Sequence, residues 1–401
     1  MKKFCVLVLL LSGIVLADNA ASGTSSAQRW PWNGKVDINY TLTATTTNTT
    51  PVFSVKFFGE DPEGNKFELT SLSGDGATEI ILGAGPKKAV WDAQADLGSG
   101  IDTNYYKVGV YAKEVTEEAD YLVLDLTTYK MRTSTVGPDV SSNAPSKYAE
   151  LWLRRIEPGT FIMGSATTEP GRNSSTEAEH LVTLTKAYYI GVFELTSGQY
   201  TKIYNNITSS SCTPSSTDYA SLRGTRYGAT WPAKNDYRVD ATSFFGKLRQ
   251  NTGNGLIFDL PTEAQWEAAS RWKGTTGNGT NDYHGSSCWN NGVQFDRSYT
   301  GYDDVGWCSR NAGSRAHEVG LKAASTSGTY DMHGNAWEVC LDWNTDDITS
   351  YVIDPEGPET GSRRNLRGSY WGNDAPSLRM AARNSVGASY YGIGFRVALL
   401  P

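Results

Sequence analysis

The chain has 401 residues, with 36 lysines and arginines against 43 aspartates and glutamates, giving a formal net charge of −7. A mean hydropathy of −0.43 fits a water-exposed folded protein, and the length is enough for two domains. Mild acidity, and the lack of a basic run interleaved with aromatics, argue against a nucleic-acid partner, because phosphate binding needs a basic surface.

The chain starts "MKKFCVLVLLLSGIVLADNAAS". Lys2 and Lys3, the apolar run from Phe4 to Leu16 and the small Ala17 make the pattern of a secretory signal peptide over residues 1–17. The apolar run is short for a membrane span. The expectation is therefore an exported protein (periplasmic, cell-surface or extracellular) with no transmembrane segment in the mature chain. Export would place Cys212, Cys288, Cys308 and Cys340 in an oxidising compartment. An even number there suggests disulfides, with three pairings open. No C-x-x-C occurs to suggest a zinc knot.

Residues 18–132 predict an all-β sandwich of the immunoglobulin or fibronectin kind. Period-two alternation puts Val36, Ile38, Tyr40 and Leu42 on one face, then Phe53, Val55 and Phe57, then Tyr106, Val108 and Val110. "YLVLDL" adds Leu122, Leu124 and Leu126 as a last strand. Gly, Pro and Asp turns separate these runs, and no ionisable cluster lies among them, so the domain is expected to space or dock. Residues 133–147, rich in Ser, Thr and Pro, read as a linker.

In residues 148–401 two helices carry capping boxes, Thr196 with Gln199 and Thr262 with Gln265. Trp266, Ala269 and Trp272 would face inward from the second. "DATSFFGKLRQ" predicts a third short helix with Phe244, Phe245 and Leu248 on one side. Beyond Arg271, Gly, Asn, Ser and Trp dominate with little periodicity, which points to function carried on loops.

Few side-chain sets could carry chemistry. In "YDMHGNAWEVCLDW", Asp331 and Glu338 are hard oxygen donors separated by a turn at Gly334 and Asn335. They suit a calcium cage completed by waters, or an ordinary turn in which Asp331 caps amides and Glu338 meets an arginine. The four histidines have no i, i+3 or i, i+4 pair, which argues against a histidine-held metal. There is no G-x-S-x-G, P-loop or dinucleotide fingerprint.

The segments "LRRIEPGTFIMGS", "YYIGVFELTSGQY", "FDLPTEAQWEAASR", "YDMHGNAWEVCLDW", "LRGSYWG" and "GIGFRVAL" occur in this order. Together they resemble the formylglycine-generating enzyme (sulfatase-modifying factor) family over about residues 150–401. The resemblance implies an α+β, C-type-lectin-like domain with much irregular chain. It implies structural calcium at Asp331, Gly334 (carbonyl), Ala336 (carbonyl) and Glu338. It also implies that Arg379, Arg383 and Arg396 belong to the framework. Active members oxidise a substrate cysteine with oxygen and Cu(I) held by two cysteines. Those cysteines fall near Gly372 and Ser377 here, and no cysteine follows Cys340. The family's glycine pair is changed to Arg367-Gly368, while Ser369 is kept. Neither glycine nor a serine hydroxyl replaces a thiolate for Cu(I), so copper and catalysis are not expected, and the chain resembles the family's non-catalytic members.

The expectation is a ligand-binding scaffold, with Tyr370, Trp371, Asn373, Asp374, Asn384, Ser389, Tyr390 and Tyr391 on the old active-site face. Tyrosine, Asn, Ser and Gly are the mixture that paratopes use. The partner would be a protein or glycan. Some relatives with such tails are diversified by retroelements, which here would imply a near-copy template beside the gene. The competing readings are formylglycine-generating oxidation and a structural, envelope-associated role.

Overall fold

The computed structural model describes residues 19–29, 32–46, 50–100, 102–115, 120–142, 144–204, 243–275, 281–283, 289–290, 293–294, 301–345, 351–387 and 392–400. The protein is mostly β with few helices. No helix among the described residues is long and apolar enough to cross a membrane.

The N-terminal strands form two antiparallel sheets. One runs Ala21–Gln28, Lys35–Leu42, Gly85–Asp92, Leu72–Gly74. In the other, Val52–Glu60 pairs with Lys66–Glu68, Ile80–Leu82 and Lys107–Glu114. Ile38, Tyr40, Val55, Phe57, Trp91 and Val110 from both sheets share one buried cluster. This follows from the alternation, because every second side chain of a strand leaves the same face.

The last strand expected of this unit belongs elsewhere. Tyr121–Asp125 pairs with Glu150–Ile156, Leu122 opposite Leu153. It joins a six-stranded sheet in the order Met131–Ser134, Tyr121–Asp125, Glu150–Ile156, Tyr188–Gly191, Ala398–Leu400, Ile257–Asp259. Leu122 and Leu124 enter the main core, while Val123 on the opposite face packs with Trp152 and Phe193. A strand covered on both faces belongs inside a sheet, and alternation alone does not say which sheet.

The stretch expected as a linker is also structured. Met131–Ser134 is a strand, and Ser146 and Lys147 are buried. Lys147 Nζ lies 2.6 Å from Glu318. Thr196 Oγ1 donates to the Lys147 carbonyl at 2.6 Å. The N-terminal strands lean on this assembly. Val52, Ile80 and Leu82 join its core, and the Gly74 amide donates to the Gly253 carbonyl at 2.7 Å.

Both capping boxes form. The Gln199 amide donates to Thr196 Oγ1 at 3.2 Å and the Thr196 amide to Gln199 Oε1 at 3.0 Å. Thr262 and Gln265 repeat this at 3.1 and 2.9 Å, starting the helix Glu263–Arg271. Trp266, Ala269 and Trp272 are buried. Ser243 caps the helix Phe244–Asn251, and Phe244, Phe245 and Leu248 are buried.

Two two-stranded pairs, Trp272–Thr275 with Asn281–Tyr283 and Trp289–Asn290 with Val293–Gln294, and two larger sheets complete the described part of the domain. Gly159–Met163, His180–Leu184 and Tyr351–Ile353 form one. Asn384–Val386, Arg364–Arg367, Trp337–Trp343 and Ile393–Gly394 form the other. Cys308 and Cys340 are free and buried, so the expected disulfides do not link these two. They sit in different clusters, Cys308 with Tyr302 and Leu378, Cys340 with Trp266 and Met332. Cys212 and Cys288 lie outside the described residues.

Candidate functional site

The C-terminal sheet carries a cleft of about 410 Å³. Its buried floor is Trp337, Leu366, Val386 and Ile393. Tyr370, Asn373, Asn384, Ser385 and Arg363 also line it. The site therefore brings together three of the residues expected to bind, Tyr370, Asn373 and Asn384. Trp371 packs edge-on against Tyr370, ring centroids 5.2 Å apart. Asp374 is exposed and accepts from Ser309 Oγ at 3.1 Å. Ser389, Tyr390 and Tyr391 lie outside the described residues.

Neither Gly372 nor Ser377, near which the copper cysteines of the family fall, lines this cleft. A Cβ at Gly372 would lie 2.6 Å from Tyr370 Cζ, and one at Gly392 would lie 2.3 Å from the same ring. Real Cβ atoms do not approach that closely, so the Tyr370 ring stands where a side chain at 372 would go. Ser369 is buried, at a left-handed φ of 68°, and its hydroxyl accepts from Asn373 Nδ2 at 3.1 Å. Cys308 packs beneath this loop against Ala375 and Leu378. A single thiol cannot supply the linear pair that Cu(I) favours. The fully buried Cys340 has its thiol pKa raised well above the ordinary range by burial.

Below the cleft the Asp331–Glu338 loop has positive φ at Asp331, Gly334 and Asn335. Three buried carboxylates meet one guanidinium there. Glu338 takes Arg396 Nε and Nη2, both at 2.5 Å, and Trp266 Nε1 at 2.7 Å. Asp331 Oδ2 accepts the Gly320 amide at 2.7 Å. Glu194 accepts the Ala336 amide at 2.9 Å and Asn335 Nδ2 at 2.6 Å. Burial raises the Asp331 pKa to about 6 and that of Glu194 well above the carboxylate range. The other acids of the cluster add to both shifts.

These residues fit calcium in part. Asp331 Oδ1 is buried with no hydrogen-bond partner among the described residues, and the acids outnumber Arg396. Both features suit a hard divalent cation. Glu338, however, is committed to Arg396, which leaves it little spare acceptor capacity. Among the described residues no three His, Cys, Asp or Glu side chains converge on a metal position. Any calcium would therefore lean on backbone carbonyls. As placed, Asp331 caps an amide and Glu338 meets an arginine, the ordinary-turn alternative of the sequence.

The tail arginines are framework. Arg379 chelates Glu177 at 2.7 and 2.8 Å, and Arg383 chelates Glu263 at 2.8 Å twice. Glu194 escaped the sequence reading. Its only signal was an acid inside the apolar "GVFEL".

Residues 140–400 match the family described as sulfatase-modifying factor enzyme 1-like domain. The chain is 32% identical over 177 residues to serine/threonine-protein kinase pkn1 of Chlamydia caviae, covering 43% of this chain and 23% of that one. It is 31% identical over 152 residues to a formylglycine-generating enzyme of Thermomonospora curvata, covering 35% and 49%. The chain thus spans between 20% and 49% of the length of the curated relatives it matches. Treponema denticola variable protein 1 superposes with a TM-score of 0.47 at 24% identity, over 67% of this chain and 100% of that one.

Proposed function

The chain belongs to the sulfatase-modifying factor enzyme 1-like family, and from that premise we propose that it is an exported, non-catalytic member that holds a protein or glycan ligand in the Tyr370 cleft. The observation that carries this is the Tyr370 ring in the space that a side chain at position 372 would need. The Tyr370 ring fills the space beside Gly372 on the same face where an apolar floor and an Asn/Ser/Arg rim open a cleft. Aromatic floors with adaptable polar rims are the usual composition of ligand sites. In this reading residues 140–400 are a C-type-lectin-like domain, and the N-terminal β-sandwich spaces or docks it. The short sheets, capped helices and long irregular connections support the first part.

A copper titration in the presence of a thiol-containing sulfatase peptide tests the assignment. The expected result is no tight Cu(I) binding and no oxygen uptake. Oxygen consumption with formylglycine in the peptide would overturn it. Panning on glycan and peptide arrays tests the binding half. Hits should weaken about tenfold or more in Tyr370→Ala, as for a central aromatic anchor; hits indifferent to that change would place binding elsewhere.

Asp331, Gly334, Ala336 and Glu338 are the residues that would hold a structural calcium, supported by the orphaned Asp331 oxygen. Adding calcium to chelator-treated protein is expected to raise its stability. The gain should be about 2.7 kcal/mol at a hundredfold excess over Kd, measured by calorimetry with magnesium as the control. An unchanged midpoint would remove calcium from the account.

A further inference from the structure

Among the described residues that line the Tyr370 cleft, Arg363 is the only one that carries a charge. It is exposed, and so within reach of a ligand. It stands just before the strand Arg364–Arg367, where Asn365 lies opposite Ser385 of the neighbouring strand. Arg363 Nε donates to Ser385 Oγ at 2.8 Å, and Nη2 donates to the Ser385 carbonyl. These bonds brace the guanidinium without cancelling its charge. Its Nη1 lies beside Gly387, which lines the same cleft, at 3.9 Å from the place of a Cβ there.

The arginines deeper in the domain differ. Arg367, Arg379, Arg383 and Arg396 are each paired with an acid. Arg363 forms no ion pair among the described residues, and none of the described lining residues is an acid. A braced guanidinium in such a setting favours a carboxylate over a neutral acceptor, because the hydrogen bond is then charge-assisted on both sides. The floor beside it is apolar. Trp337, Leu366, Val386 and Ile393 each keep 3 to 6% of their surface exposed. Asn373 and Asn384 add side-chain amides, which pair with a peptide group as donor and acceptor. A sugar would leave hydroxyls unpaired on an aliphatic floor. An aliphatic group next to a carboxylate suits floor and rim together, and the last residue of a peptide carries both.

We propose that the Tyr370 cleft takes the C-terminus of a polypeptide. The terminal carboxylate lies at Arg363, an aliphatic last side chain lies on the Leu366, Val386 and Ile393 floor, and the last peptide group meets the amides of Asn373 and Asn384. This rests on the reading of the cleft as a ligand site and adds the kind of ligand.

Calorimetric titration of the full chain with N-acetyl-Ala-Ala-Leu tests it, beside the C-terminal amide of that peptide, N-acetyl-Ala-Ala-Gly and trigalacturonic acid. The free acid should bind about tenfold or more tightly than the amide, the usual effect of one charge-assisted hydrogen bond. The terminal glycine should cost about tenfold, the contribution of a buried leucine side chain. Arg363→Gln should bring acid and amide to equal affinity, and its unfolding midpoint checks that it folds. Tyr370→Ala should weaken both leucine peptides. Equal binding of acid and amide by the parent chain, or a preference for the acid that survives in Arg363→Gln, would overturn the carboxylate site. An affinity that still depends on Tyr370 would then leave the cleft itself standing. Binding of trigalacturonic acid alone would overturn the peptide and make the ligand an acidic glycan. Binding of no probe would overturn the proposal, while array hits lost in Tyr370→Ala would keep the cleft as a site for another ligand.

Discussion

Arg396→Met is expected to lower stability by about 3–5 kcal/mol, the usual loss when one partner of a buried ion pair is removed. Arg396 and Glu338 are both fully buried. The substitution would leave Glu338 with Trp266 Nε1 as its remaining donor among the described residues and strip the Gly191 and Tyr330 carbonyls of their guanidinium contacts at 2.8 and 3.0 Å. It would also leave Glu194, Asp331 and Glu338 with no arginine among them. Urea denaturation measures the loss. Adding Glu338→Gln should recover part of it, since the amide removes the uncompensated charge and still accepts from Trp266. A single-variant loss below about 1 kcal/mol would mean that another cation or water already balances the cluster.

Gly334→Ala should cost about 4 kcal/mol, from two sources that act together. The residue sits at φ 97°, where a side chain is strained by about 1–3 kcal/mol. A Cβ there would also lie 2.0 Å from the Trp307 carbonyl oxygen, an overpacking of about 1–3 kcal/mol or more. The Gly334 amide donates to the Gly368 carbonyl at 2.6 Å, and the Asn335 amide to Trp307 at 3.2 Å. The loop therefore cannot retreat without breaking bonds to both neighbours. Gly313→Ala is the control: its φ is 57° and nothing lies within 4 Å of its Cβ, so only strain should register. Equal midpoints for the two variants would show that the loop yields freely. The same Gly334 variant should weaken any calcium response, because relieving the clash with Trp307 displaces the carbonyl at 334, one of the donors proposed for the ion.

Much of the C-terminal domain was legible before any coordinate. The Thr196 and Thr262 boxes form with the residues named from spacing alone. Arg379, Arg383 and Arg396 are all paired with acids, Arg379 and Arg396 buried and Arg383 partly so, as the resemblance implied. The site was legible by halves. Tyr370, Asn373 and Asn384 share a cleft, whereas Trp371 and Asp374 serve its margin. Tyr370's place in the space of a side chain at 372 could not be read, because it depends on where a ring two bonds from the backbone comes to rest.

The sequence by itself determined what short-range chemistry controls. It set the helix starts, since a capping box spans four residues. It set the buried face of each strand, since alternation is a property of the backbone. It also excluded a cysteine pair at 372 and 377. The tertiary structure decided what depends on residues far apart in the chain. It moved Tyr121–Asp125 into the C-terminal sheet, because only packing on both faces distinguishes one sheet from another. It brought Glu194 beside Asp331 and Glu338. It set Thr176 and Trp343 around one cavity, because which side chains meet across a cavity is created by the fold and not by the neighbours in sequence.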